Sequence, residues 1–316
     1  MILIVALRGD LHALVVRDRI RETSGVPCHV VQSDALVGTV GFALRPGRSR
    51  TIGKAVLPTS EGAAVDVEDC RVVWWRRASY PQLVETGDHL DDRFITAEWS
   101  ASLRGALGYA RGAAWVSDPE ATRRASNKPL QLQAAVDVGW AVPDTLVSQD
   151  REAVVRFVEQ AADGRVVMKA LGSTYGRGTA TVEVTAGAIV ESDPAALELC
   201  PSIYQHLVPG REHLRINVWG DTVAAFTVTT DVLDWRRDQS APVDPVQLPP
   251  AVADVSRAVV SRLGLAAGVV DAKVGQDGSP VFLEVNPQGQ FLFLEGATGV
   301  DLTGIVAQHL VALAET

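Results

Sequence analysis

Residues 281–290 read Val281-Phe282-Leu283-Glu284-Val285-Asn286-Pro287-Gln288-Gly289-Gln290, and this stretch decides the fold. It sets a carboxylate and a carboxamide two residues apart at the end of an apolar strand. Alternate residues of a strand project from one face, so Glu284 and Asn286 aim their oxygens at one point. All-oxygen ligands suit a hard divalent cation such as Mg²⁺. Upstream, the apolar stretch 268–274 carries Asp271, and the turn Gln276-Asp277-Gly278-Ser279 joins the two stretches as a hairpin. Pairing across that hairpin brings Asp271 beside Glu284. Taken alone, the segment also fits a plainer reading, a surface carboxylate followed by a turn asparagine before Pro287.

The chain has 316 residues, long enough for two or three subdomains with a substantial core. Its 47% apolar and 21% charged content is that of an ordinary soluble globular protein. No apolar run approaches the roughly 20 residues of a membrane-spanning helix. The opening Met1-Ile2-Leu3-Ile4-Val5-Ala6-Leu7 is short and has no positive region before it, so it reads as a first strand and not as a signal peptide. A net charge of −9 argues against nucleic acid as a partner. Cys28, Cys70 and Cys200 are far apart and show neither metal spacing nor a disulfide framework. With no export signal, a cytoplasmic protein with reduced thiols is the simplest reading.

Residues 1–117 alternate strand and helix patterns, which predicts an α/β domain. Asp10 is placed to cap a helix running to Gly25. The first strand ends Leu7-Arg8-Gly9-Asp10, without Gly-x-Gly-x-x-Gly, which disfavours a dinucleotide-binding dehydrogenase. Asp118-Pro119-Glu120 starts a helix expected to run through Lys128 towards Val138. A domain boundary is therefore set near Ser117, with further units at 118–202 and 203–316. Residues 238–250, rich in Pro, Asp and Gln, read as a mobile loop.

Several residues suggest anion chemistry. Lys169 closes the apolar strand 166–169, where a charge is costly unless it meets an anion. It opens onto Gly172-Ser173-Thr174-Tyr175-Gly176-Arg177-Gly178, whose backbone N–H groups suit phosphates. A loose hairpin turn is the alternative for that loop alone. Lys128 lies in Ser126-Asn127-Lys128-Pro129, and a helix lysine is usually a solvated charge. Tyr204-Gln205-His206-Leu207-Val208 is an apolar strand whose backbone could read an adenine edge. Arg215, on a further strand, would stabilise a transferring phosphoryl group if it faces inward.

In order, these elements are a helix Lys, a strand Lys, a glycine loop, an apolar hinge strand, a strand Arg, an Asp and Glu-x-Asn. The series resembles the ATP-grasp superfamily over roughly residues 115–300. The resemblance implies α/β and α+β architecture: an N-terminal pre-ATP-grasp domain and two α+β subdomains gripping ATP. It assigns Lys128 and Lys169 to the nucleotide phosphates. Gly172, Ser173, Gly176 and Gly178 become the lid loop, Gln205, His206 and Leu207 the adenine hinge, and Glu212 a ribose ligand. Asp271, Glu284 and Asn286 become the Mg²⁺ ligands, with Arg215 and Lys169 as catalytic groups. His206 departs from the pattern, in which an acidic or amide hinge residue is expected.

The phrases Val73-Trp74-Trp75-Arg76-Arg77, Trp115-Val116-Ser117-Asp118-Pro119, 124–132, Asp234-Trp235-Arg236 and 284–295 narrow the resemblance. They are similar to the microviridin or graspetide ligases that mature ribosomal peptides, relatives of the ribosomal-protein glutamate ligases. Such enzymes activate Asp or Glu side chains as acylphosphates and close esters to Thr/Ser or amides to Lys. The implied partner is a precursor peptide with leader and core, and a homodimer is expected; no nucleic acid or membrane partner is. Arg76, Arg77, Arg236 and Arg237 are candidates for a basic substrate surface. Two alternatives stand beside this reading: a ligase adding an amino acid to a peptide or small acid, and a nucleotide-binding scaffold without turnover.

Overall fold

Strands buried on both faces read as unbroken apolar runs. Ile2–Ala6 and Val72–Arg76 are such strands, fully buried, at the centre of a parallel sheet. The computed structural model describes residues 1–47, 53–78, 86–161, 164–172 and 181–316. Contacts divide the chain into two units, Met1–Pro119 with Gln290–Thr316, and Glu120–Gly289.

In the first unit the sheet order is Cys28–Gln32, Ile2–Ala6, Val72–Arg76, Ala114–Val116. Helices Leu11–Thr23 and Leu302–Glu315 pack on each other and on the central strands. On another side, Leu3, Val5, Val73 and Trp75 join Leu103 and Leu107 of the helix His89–Leu107 in one apolar cluster. Asp10 caps the first helix, its Oδ1 accepting from the Ala13 amide at 3.0 Å. Residues 290–316 belong to this unit, where the last helix lies against the N-terminal strands. Cys28 and Cys70 are buried, Cys200 is exposed, and all three are free thiols. Among the described residues no helix is long and apolar enough to cross a membrane.

The second unit holds two sheets. The four-stranded one runs Val182–Val184, Val166–Lys169, Ser202–His206, Thr145–Ser148, so the expected boundary at 202 moves beyond His206. The five-stranded one runs Val243–Val246, Thr222–Thr229, Glu212–Trp219, Ala267–Val274, Pro280–Asn286. The segment expected as a loop at 238–250 thus contributes an edge strand; Pro245 is tolerated there because an edge strand leaves some N–H positions unpaired.

The helix expected across 118–138 is two helices, Pro119–Ala125 and Lys128–Asp137. Pro129 has no N–H to give the carbonyl four residues back, and Asn127 caps a new start by accepting from the Leu130 amide. The carbonyl left over, Ala125 O, accepts from Gln131 Nε2 at 2.6 Å. The same amide group also serves the edge strand: Nε2 donates to Val285 O at 2.7 Å and Oε1 accepts from Val285 N at 3.0 Å. Gln131 therefore fastens the helix that begins at Lys128 to the strand that carries Glu284.

Candidate active site

The five-stranded sheet has one apolar and one polar face. Register sets Arg215, Asp271 and Glu284 abreast on three neighbouring strands. One pleat away His213 faces Lys273, and one pleat the other way Asn217 faces Val269, which faces Asn286. The intervening Leu214, Ile216, Val270, Ala272 and Phe282 belong to the core.

Simple alternation explains two of these strands but not the third. Phe282 and Val285 both lie in the core, three residues apart, while Glu284 lies on the polar face. The register supplies the reason: Asp271 opposes Glu284, but Ala272 opposes Phe282. Leu283 is the additional residue of a β-bulge, which resets the alternation beside the site. Gly289 lies against Val269, where a Cβ would come within 2.3 Å of its side chain.

Arg215 Nη1 donates to both carboxylate oxygens of Asp271, each at 2.9 Å. Its guanidinium stands 5.5 Å from the ring centre of Trp235. Asp271 lines the cavity above this sheet, and Arg215 holds its carboxylate from beside the lining. Burial pushes the Asp271 carboxyl up, and the Arg215 guanidinium opposes that shift. Glu284 is half-buried, with Lys128 Nζ 3.8 Å from one oxygen and Arg236 Nη1 3.7 Å from the other. Both cations are beyond hydrogen-bond length, so the lone pairs of Glu284 stay open to a ligand. Asn286 is exposed, and its Oδ1 accepts from the Gln288 amide at 3.3 Å. Among the described residues no three His, Cys, Asp or Glu side chains gather into a metal cage. The candidate set is two carboxylates and one carboxamide, an oxygen-only donor set that fits Mg²⁺.

Lys128 and Lys169 line the same cavity. Lys128 is the first residue of its helix, and its Nζ donates to Ala170 O at 3.1 Å. Lys169 Nζ donates to Gln205 Oε1 at 2.7 Å, and Gln205 Nε2 donates to Thr145 Oγ1 at 2.9 Å. Burial lowers the Lys169 ammonium to about 8, with Glu284 pulling the other way and Lys128 adding to the fall. Gly172 is exposed, and a Cβ there would meet nothing within 4 Å. Ser173, Gly176 and Gly178 lie outside the described residues.

Of the expected hinge residues, Gln205 contributes its side chain. The amides of His206 and Leu207 are taken by Asp144 O at 2.9 Å and Arg165 O at 3.0 Å. The His206 ring stands 4.6 Å from Phe157, and its Nδ1 lies 3.6 Å from Asp144 Oδ2. The amide of Val208, at the cavity wall, makes no hydrogen bond to a described group. Glu212, expected as a ribose ligand, is exposed and outside the cavity lining; alternation with His213 turns it to the opposite face.

The expected basic substrate surface is corrected in part. Arg76 is 2% exposed, its Nε 3.5 Å from Asp10 Oδ2 and its guanidinium 6.0 Å from the Trp74 ring, so it belongs to the interior of the first unit. Arg77 is exposed, and Arg236 sits at the cavity, held by Asp234 at 2.7 Å. His213, Lys273 and Gln131 carry no role in the sequence reading, and Trp235 enters it only within the phrase Asp234-Trp235-Arg236. The alternation His213-Leu214-Arg215-Ile216-Asn217-Val218 was the signal for the first, since period two puts His213 and Asn217 beside Arg215.

The macrocyclase MdnC of Microcystis aeruginosa MRC, solved with precursor peptide MdnA, superposes with a TM-score of 0.84 over 98% of this chain and 99% of its own, at 23% identity. The chain has the ATP-grasp fold. The ATP-grasp likeness extends to a RiPP-associated ATP-grasp ligase from Chryseobacterium gregarium, solved with ADP and a leader and core peptide. It gives a TM-score of 0.81 over 98% of this chain and 96% of its own, at 22% identity. A RimK domain ATP-grasp protein from Sphaerobacter thermophilus DSM 20745 gives 0.60 over 98% and 99%, at 21% identity. No family model and no curated protein sequence matches the chain.

Proposed function

We propose that this ATP-grasp chain is an ATP-dependent carboxylate ligase that closes side-chain esters or amides within a ribosomally made precursor peptide. The observation that carries the reading is the convergence of Lys128, Lys169, Asp271 and Glu284 on one cavity, with two cations and two carboxylates facing each other. That is the charge pattern of a site for a polyphosphate with a divalent cation. The structural neighbours solved with precursor peptides support a peptide as the second substrate.

A carboxylate is a poor electrophile. Transfer of the terminal phosphoryl group of ATP to a carboxylate oxygen gives an acylphosphate and ADP. A hydroxyl or amine then attacks the acyl carbon, and phosphate leaves with that oxygen. Lys128 and Lys169 offer the ammonium groups that hold phosphate oxygens in line. Arg215 fixes the Asp271 carboxylate, and the Leu283 bulge presents Glu284 beside it. Asp271, Glu284 and Asn286 would hold Mg²⁺, which neutralises charge developing on the phosphate oxygens. Arg236, at the cavity, has the charge to orient the carboxylate that is activated. The reading includes a homodimer in the cytoplasm, which light scattering of the purified protein and cell fractionation test.

A ligase that adds an amino acid is the second reading, favoured by the RimK-type neighbour; its lower TM-score at equal coverage ranks it behind. The test is intact-mass spectrometry of a small peptide encoded beside the gene, incubated with protein and Mg-ATP. Loss of one water per bond supports ring closure. Gain of an amino-acid residue mass supports the second reading. An unchanged peptide with no ADP formed leaves only the scaffold.

A further inference from the structure

Lys169 is tethered by a neutral group. Its Nζ donates to Gln205 Oε1 at 2.7 Å, and among the described residues this is its one hydrogen bond. An ammonium has three donors, so two remain for a ligand in the cavity that both residues line. The acceptor carries no charge. A carboxylate in its place would pair with the ammonium and cancel the field that draws phosphate. An amide oxygen fixes the ammonium and leaves its charge whole. Lys128 is tethered in the same manner, by the Ala170 carbonyl at 3.1 Å, while Glu284 stays 3.8 Å away.

The amide is itself oriented. Thr145 stands directly opposite Gln205 on one neighbouring strand. Lys169 lies on the other neighbour, opposite Ile203 and so one pleat along. The Thr145 hydroxyl donates to Pro143 O at 2.8 Å, which leaves its lone pairs for Gln205. Gln205 Nε2 donates to them at 2.9 Å, and that turns Oε1 to Lys169. A flipped amide would set its NH₂ against the ammonium and its carbonyl against an oxygen that has no proton to give, losing both bonds. Gln205 is 3% exposed, so water does not replace them.

We propose that Gln205 is a positioning residue: oriented by Thr145, it aims the Lys169 ammonium at the nucleotide phosphates without neutralising it. The inference rests on the nucleotide reading of the cavity. Titration calorimetry with Mg²⁺ measures ADP affinity for the wild type, Lys169→Met, Gln205→Leu and Thr145→Val, and for the latter two substitutions in the Lys169→Met background. Gln205→Leu is expected to weaken ADP binding roughly tenfold and Thr145→Val about threefold. In the Lys169→Met background neither should weaken it by more than about twofold. A side chain that merely packs the strand, or that reads the base, loses affinity in both backgrounds. Losses that add to that of Lys169→Met therefore overturn the inference, as does unchanged affinity in Gln205→Leu and Thr145→Val. If Gln205→Leu does not fold, the Thr145→Val comparison decides alone. If the wild type does not bind ADP, or Lys169→Met binds it as tightly as the wild type, the phosphate role of Lys169 falls first and takes the inference with it.

Discussion

Phe282 and Glu284 lie two residues apart in one strand yet face opposite sides of the sheet, because Leu283 is bulged between them. The bulge absorbs one additional residue without moving either side chain from its face. Deleting Leu283 makes Phe282 and Glu284 consecutive, and regular alternation then still turns Phe282 to the core and Glu284 to the cavity. The deletion variant should therefore keep ADP binding, and its urea midpoint should fall less than that of Phe282→Ala, which loses core contacts worth about 3 kcal/mol or more. Loss of ADP binding in a folded deletion variant would show that the extra residue itself is needed to present Glu284.

Arg215 and Glu284 separate stability from function. Arg215→Ala leaves the 7% exposed Asp271 carboxylate buried without its cation, at a cost of about 3–5 kcal/mol. Glu284 is half-buried and its cations are loosely placed, so Glu284→Gln should change stability by less than about 0.5 kcal/mol while turnover is lost. Chemical denaturation and ADP release measure the two. A stable Arg215→Ala, or an active Glu284→Gln, contradicts the assignment.

Gln131 satisfies both backbone groups of Val285 on an edge strand. Gln131→Leu fills the space but strands a buried N–H and C=O, an expected loss of about 2–3 kcal/mol. Gln131→Glu keeps an acceptor for Val285 N but no donor for Val285 O and should fall between. Denaturant melts of the three proteins rank them, and equal midpoints would rule out the fastening role.

Acid should destabilise the protein through His12. Its Nε2 accepts from the amides of Phe291 and Leu292 at 3.1 and 3.3 Å, acting as an N-terminal cap for the helix Leu292–Thr298. Burial, then the charge of Arg76, lowers the ring from 6.5 to about 4. The folded pKa lies below the unfolded one, so the unfolded chain takes the proton first. Stability is complete above about pH 6.5 and is lost as pH falls towards 4. His213 shifts in the same direction and adds to the loss. His12→Gln retains an acceptor without titrating, so its urea midpoint should fall less between pH 7 and 4. Identical pH profiles would exclude the neutral-cap account.

Lys169 sets a limit at the alkaline end. With its ammonium lowered to about 8, the free protein loses that charge as pH rises through this value. ADP affinity should therefore decline above about pH 8, up to tenfold per unit while the free protein titrates. Lys169→Arg should flatten the decline. Affinity constant from pH 7 to 9.5 in the wild type would mean that Lys169 does not contact phosphate.

What was legible in the sequence follows from local rules. The hairpin that pairs Asp271 with Glu284 needed only a turn and two apolar runs. Asp10 caps its helix by ordinary side-chain chemistry, and Asn127 does the same inside a stretch whose pattern reads as one helix. Failures came where a distant element decides. The bulge at Leu283 is fixed by the partner strand, and Arg76 is buried by its fully buried parallel strand. The strand Val243–Val246 is short and contains Pro245, so pairing with Thr222–Thr229, not propensity, makes it. Glu212 was placed in the site by resemblance, whereas strand alternation puts His213 there.

The central claim is that a substrate carboxylate is activated by phosphoryl transfer. A precursor peptide carrying ¹⁸O in its Asp and Glu side-chain carboxylates, incubated with the protein and Mg-ATP, tests it. The account predicts one ¹⁸O in each phosphate released, matched to each water lost from the peptide. Peptide crosslinked with unlabelled phosphate released would contradict it.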